Sequence, residues 1–170
     1  MLHEWRDFFM AVGTASATLI GAMFVVASIG MGFFTRDHAA AIRSFLTPTV
    51  IHLSAGLFAS ILTMVPTLDW RWFGLGLGGI GLAGLAYSGW VANDVAHRRS
   101  LEWVDHFWYA ALPFAGYAAL VASAAMALTA TERDIEVLAI AVVLLIIGGI
   151  RNAWDMIVFL IIQDRGNNNG

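Results

Sequence analysis

Four residues inside otherwise apolar stretches could do chemistry. Arg151 and Asp155 stand four apart, which puts them on one face of a helix and within reach of an ion pair. Gly148 shares that face and Asn152 lies one step round from it. The flanking runs, Val137 to Ile150 and Met156 to Gln163, hold no charge. A charge at the centre of a membrane-crossing helix costs about 2.5–3.5 kcal/mol on insertion scales, so such groups turn to the protein interior and pair there. The fourth residue is His52, the other deep titratable group, in a second charge-free run.

Taking each helix as centred on its run, Arg151 falls near the midplane of a bilayer. His52 and Asp155 then lie about 6–8 Å from it on the same side, at 1.5 Å rise per residue. The expectation is that the two helices touch, and that His52, Arg151, Asn152 and Asp155 form one buried polar cluster. Thr49, Gly56 and Ser60 would line the His52 face. Arg151 would neutralise Asp155, and His52 would bond Asp155 or Asn152. Such a set has two readings. It can be polar glue that fixes helix register, where interhelical hydrogen bonds average about 0.6 kcal/mol. It can also handle protons or ions, because His and carboxylate at one depth are the usual parts of a relay. A haem would need a second axial ligand, and His52 has no deep His partner in the chain, so no cofactor is expected.

A second group lies between apolar runs: Asp94, His97, Glu102 and His106. Asp94 and His97 are three apart and Glu102 and His106 four apart, so each pair could offer a carboxylate and an imidazole to a divalent metal. A strong zinc spacing such as H-E-x-x-H is missing. With Arg98 and Arg99 in the same stretch, a solvated turn that sets topology is the expected role.

The run from Gly74 to Gly84 contains G-x-G-x-x-G, first as Gly74, Gly76 and Gly79. A dinucleotide site needs that motif between a strand and an amphipathic helix. Here it sits in an uninterrupted apolar segment, which points instead to close helix packing or a bend.

The elements that must carry these residues are long and apolar. Of 170 residues 59% are hydrophobic and 12% charged, against about 45–50% and 25% in soluble domains. Crossing a bilayer takes about 20 apolar residues, and spans are expected at 8–35, 44–68, 72–93, 107–131 and 137–163. The fifth holds only if Arg151 and Asp155 are buried together. The fold expected is therefore all-α, a polytopic membrane bundle of about five transmembrane helices forming a single domain over 1–165, with a disordered tail at 166–170. The runs lack the alternation of barrel strands. Rows of small residues four apart suit close helix approach in lipid: Gly13, Ala17 and Gly21; Gly56 and Ser60; Ala115, Ala119, Ser123 and Ala127; Gly149 and Ala153.

The amino-terminal segment lacks the positive region of a signal peptide and is read as retained. All nine basic residues are Arg, a usage that suits a GC-rich bacterial genome. With Arg6, Arg71 and Arg133 on one side and Arg36, Arg43, Arg98, Arg99 and Arg165 on the other, the positive-inside rule puts the amino terminus outside and the carboxyl terminus in the cytoplasm. The location expected is a bacterial inner membrane. A net charge of −3 and scattered basic residues argue against nucleic acid. The absence of cysteine excludes disulfides and thiolate metal sites. The partners expected are the lipid bilayer and either copies of the chain or a larger membrane complex. The function expected is a structural or accessory membrane subunit; the alternative is a small proton- or ion-handling transporter built on the His52 cluster.

Overall fold

A computed structural model describes residues 2–30, 36–97, 107–129 and 133–167, and the side chains of 5–28, 46–93, 108, 110–129 and 133–158. Five helices make up these residues: α1 Leu2–Gly30, α2 Arg36–Met64, α3 Trp70–His97, α4 Leu112–Leu128 and α5 Asp134–Asn167. A π-helical turn, Phe107–Ala111, leads into α4. Among the described residues three stretches are long and apolar enough to cross a membrane, Trp5–Ser28, Leu46–Met64 and Trp70–Asn93, while the apolar helix Leu112–Leu128 is shorter.

The helices overrun the apolar runs that announce them. The stretch Arg36–Arg43, expected as a connection, is the first two turns of α2, and α5 reaches Asn167, into the expected tail. Hydropathy marks where apolar residues stop, whereas a helix stops only where its backbone bonds do. The first end of the bundle, where α1 and α3 begin, shows such stops. Asp69 Oδ1 accepts from the Arg71 amide at 2.8 Å, an N-cap for α3. Before it, Pro66 sits in a turn closed by the Leu68 amide on the Val65 carbonyl at 3.4 Å. Asp134 and Glu136 occupy the first turn of α5, where negative charge meets the positive end of the helix dipole.

Consecutive helices run antiparallel, and glycines fix their register. On α3, Gly74, Gly78, Gly81 and Gly84 meet Leu128, Ala124, Val121 and Tyr117 of α4 in turn. A methyl group added at Gly74 would stand 2.8 Å from Leu128, one at Gly81 2.7 Å from Val121, and one at Gly84 would overlap the Tyr117 ring. The dense glycine of this segment is thus a groove for α4 inside an unbroken helix. Elsewhere Gly116 of α4 lies under Leu145 of α5, Gly149 of α5 under Leu53 of α2, and Gly13 of α1 against Ser60 of α2. The core they enclose includes Phe9, Leu77, Tyr117, Leu120, Leu138 and Leu145.

Two of the expected small-residue rows divide. Ala17 and Gly21 are exposed, and the buried face of α1 runs through Phe9, Val12, Gly13, Ser16 and Met23. Ala115 is likewise exposed while Ser123 and Ala127 are buried. Each step of four residues turns a helix about 40° past a full circle, so a row spaced strictly by four drifts off any one contact within two steps.

Candidate functional site

His52 and the polar side chains of α5 lie in the half of the bundle toward its second end, where α1 and α3 finish. α2 places His52 there, 2% exposed. Its Nδ1 lies 2.9 Å from the hydroxyl oxygen of Tyr117, across the bundle on α4. Side chains lean toward the start of their own helix, so Tyr117, seated in the groove at Gly84, reaches toward the second end to meet the imidazole. Tyr87 of α3 stands edge-on to His52 at 6.3 Å between ring centroids and packs in turn on Trp90 at 6.2 Å. Three helices therefore meet at this histidine.

α5 supplies the second set. Arg151 Nη2 is 3.3 Å from Asp155 Oδ1, with side chains 36% and 18% exposed. The guanidinium also lies 5.7 Å above the Trp108 ring, a cation–π contact from the π-helical turn. Asn152 is buried, beside Arg151 in the chain. Among the described residues four buried polar atoms have no hydrogen-bond partner: Ser16 Oγ, Ser88 Oγ, Arg151 Nε and Asn152 Oδ1. Buried polar groups normally find partners in protein or water.

Both sets lie on touching helices, as the spacing anticipates, but their depths differ from the expected one. Gly149 faces Leu53 and Gly56 faces Ile146, so His52 is level with residues 149–150 of α5. Asp155 lies five or six residues further on, about 7–9 Å toward the second end. The hydrogen bond given by the structure to His52 Nδ1 goes to Tyr117, while Asp155 is engaged by Arg151. Centring on apolar runs misplaced the two helices relative to each other, because the run taken for α2 omits its first two turns, Arg36–Arg43. Of the expected His52 face, Ser60 donates to the Gly56 carbonyl at 2.8 Å and Thr49 is buried.

The other group lies outside the described residues: Glu102 and His106 entirely, and Asp94 and His97 for their side chains. Among the described residues no three His, Cys, Asp or Glu gather as a metal ligand set.

Sequence reasoning passed over Tyr117, Tyr87 and Trp108 as contributors. Tyr117 carried a signal, a hydroxyl in the middle of the charge-free run from Phe107 to Thr131. A search confined to ionisable carboxylates, guanidiniums and imidazoles skips it. No known protein family, curated protein or solved structure matches this chain.

Proposed function

We propose that the chain is a polytopic integral membrane protein whose five helices all lie in a bilayer, serving as a structural or accessory subunit. One observation carries this reading: large apolar side chains cover the outside of the bundle, while polar side chains are buried within its largely apolar core. Leu82, Trp90, Ile140 and Phe24 are each more than half exposed, while Ser16, Thr49, His52, Ser88 and Asn152 are buried. Water-facing surfaces rarely carry apolar patches beyond a few hundred Å². The exposed hydroxyls point the same way, since Thr14, Thr18 and Ser28 each donate to the carbonyl four residues back at 2.8 Å. A hydroxyl facing lipid must find such a partner within its own helix.

The positive-inside reading sets the first end, with Arg6, Arg71 and Arg133, outside and the second end in the cytoplasm. Outward small residues, Gly21 on α1 and Gly79 on α3, have no neighbour within 4 Å of an added methyl and suit assembly with copies of the chain or a larger complex.

A second reading, proton or ion handling, is favoured by the His52–Tyr117 contact and the unpartnered polar atoms around it. Proton flux in proteoliposomes separates the two. A subunit role requires no flux above empty vesicles, with His52→Ala and Asp155→Asn losing only thermal stability. Flux in the parent, abolished in both variants without loss of folding, would replace the subunit role by transport.

A further inference from the structure

The buried polar groups divide the interior along its length. From His52 to the first end, the space between helices is filled by Ala59, Leu77, Leu120, Leu138 and Val142, all essentially unexposed. In that half Ser60 donates to the Gly56 carbonyl and Ser123 to that of Asp134, each at 2.8 Å, while Ser16 Oγ, packed against Gly56, has no partner. Toward the second end, three polar atoms stay unsatisfied, on Asn152, Arg151 and Ser88.

The backbone is irregular in the same half. Pro48 sits inside α2, and Pro113, buried, follows the π-helical turn. Pro48 removes an amide and leaves the carbonyl four residues earlier without its helical donor, whereas Pro113 stands in the first turn of α4, where an amide has no acceptor within the helix. Gly148 of α5 faces Pro113, and its neighbour Gly149 faces Leu53 and the Thr49 carbonyl. The polar atoms thus stand in the half where Pro48 also releases a backbone acceptor, and Asp155 and Arg151, partly exposed, lead from them to the surface.

We infer that the bundle holds a water-filled vestibule, entered from the second end and closed at His52, which puts that imidazole in proton contact with one face of the membrane only. The inference rests on the bilayer reading and gives the proton-handling alternative a direction. Water supplies the polar partners that the protein withholds. A proton arriving through it adds to the histidine ring, leaving Nδ1–H to donate to the Tyr117 oxygen, and returns to water by the same route. The groups facing His52 are Tyr87 of α3, Tyr117 of α4 and, nearer the entrance, Arg151 and Asp155 of α5; the described charges of α1, Arg6 and Asp7, lie at the first end. The apolar plug below leaves no onward path, so the vestibule loads and unloads without conducting.

The chain has no cysteine, so single substitutions report access directly. Asn152→Cys, His52→Cys and the near-isosteric Ser88→Cys are exposed to the permanently charged methanethiosulfonate ethyltrimethylammonium, in proteoliposomes sorted by orientation with an amino-terminal tag. Thiol attack needs a hydrated thiolate, and modification from the second face is expected to run at least about tenfold faster than from the first. Leu138→Cys and Ala141→Cys should stay unmodified from both. Ser88→Cys decides alone if the other two fail to fold. Positions 152, 52 and 88 as inert as 138 and 141 would overturn the vestibule in favour of dry polar glue. Modification of 138 or 141 from the first face would overturn its closure. Leu82→Cys and Ile140→Cys, on the outer surface, separate failure of the bilayer reading: fast modification there at mid-depth would sink that reading itself.

Discussion

The α3–α4 seam and the polar half around His52 are held by opposite means. Along the seam, four glycines leave a groove and α4 fills it with Leu128, Ala124, Val121 and Tyr117, so cohesion comes from backbone approach and dispersion contacts. Around His52 the helices meet through a hydrogen bond and ring contacts, beside an ion pair within α5, and some polar atoms find no protein partner. Lipid tails compete equally well for apolar side chains, so close fit and satisfied polar groups are what separate one helix pairing from another. The seam gives tightness; the polar half gives a place that can change its protonation or hydration. Tyr117 belongs to both, its ring in the groove and its hydroxyl on the histidine.

Substitutions at the two regions should therefore differ in kind. The largest effect is expected at the seam, where Gly84→Ala drives a methyl into the Tyr117 ring. Overpacking of this sort costs about 1–3 kcal/mol or more, and it should also loosen the hydroxyl from His52. Gly79→Ala, one turn away but open to the outside, should change stability by less than about 0.5 kcal/mol. Thermal unfolding in detergent micelles compares the two, and equal effects would remove the groove from the account.

Next comes the ion pair. Asp155→Asn leaves Arg151 without its countercharge and is expected to cost about 1–2 kcal/mol, less than a fully buried pair because both side chains are partly exposed. Arg151→Met combined with Asp155→Leu should recover most of that loss. A double variant as unstable as the single one would show that the two side chains act separately.

Smallest is Tyr117→Phe, which keeps the ring in the groove and removes only the hydroxyl. Interhelical hydrogen bonds in membranes are worth about 0.6 kcal/mol on average and up to about 1.7. A loss in that range, measured by the same unfolding assay, fits a bond that positions His52 more than it stabilises the bundle. A loss as large as that of Gly84→Ala would mean that the hydroxyl, not the groove, holds α4.

These contrasts also mark what was legible in the sequence. Four helices and their order could be read from charge-free runs, a fifth only by joining two shorter runs across Arg151 and Asp155, and that pair from its spacing, since all of these depend on near neighbours along the chain. The glycine run could be recognised as packing but not assigned to α4, because no local pattern says which helix fills a groove. The single cluster expected of His52 and Asp155 was misjudged in depth for a related reason. Centring each helix on its apolar run ignores register, and register here is set by Gly149 under Leu53 and Gly116 under Leu145. Tyr117 was invisible for its role because a hydroxyl costs little to bury and becomes informative only once its partner is across from it.

The central claim is that the apolar outer surface of this bundle faces lipid. Nitroxide labels at Leu82→Cys, Ile140→Cys and Phe58→Cys, one helix each of α3, α5 and α2, test it by power-saturation electron paramagnetic resonance in liposomes. Lipid contact predicts strong relaxation by oxygen and almost none by a water-soluble nickel chelate at all three. Strong relaxation by the chelate at these positions would contradict it.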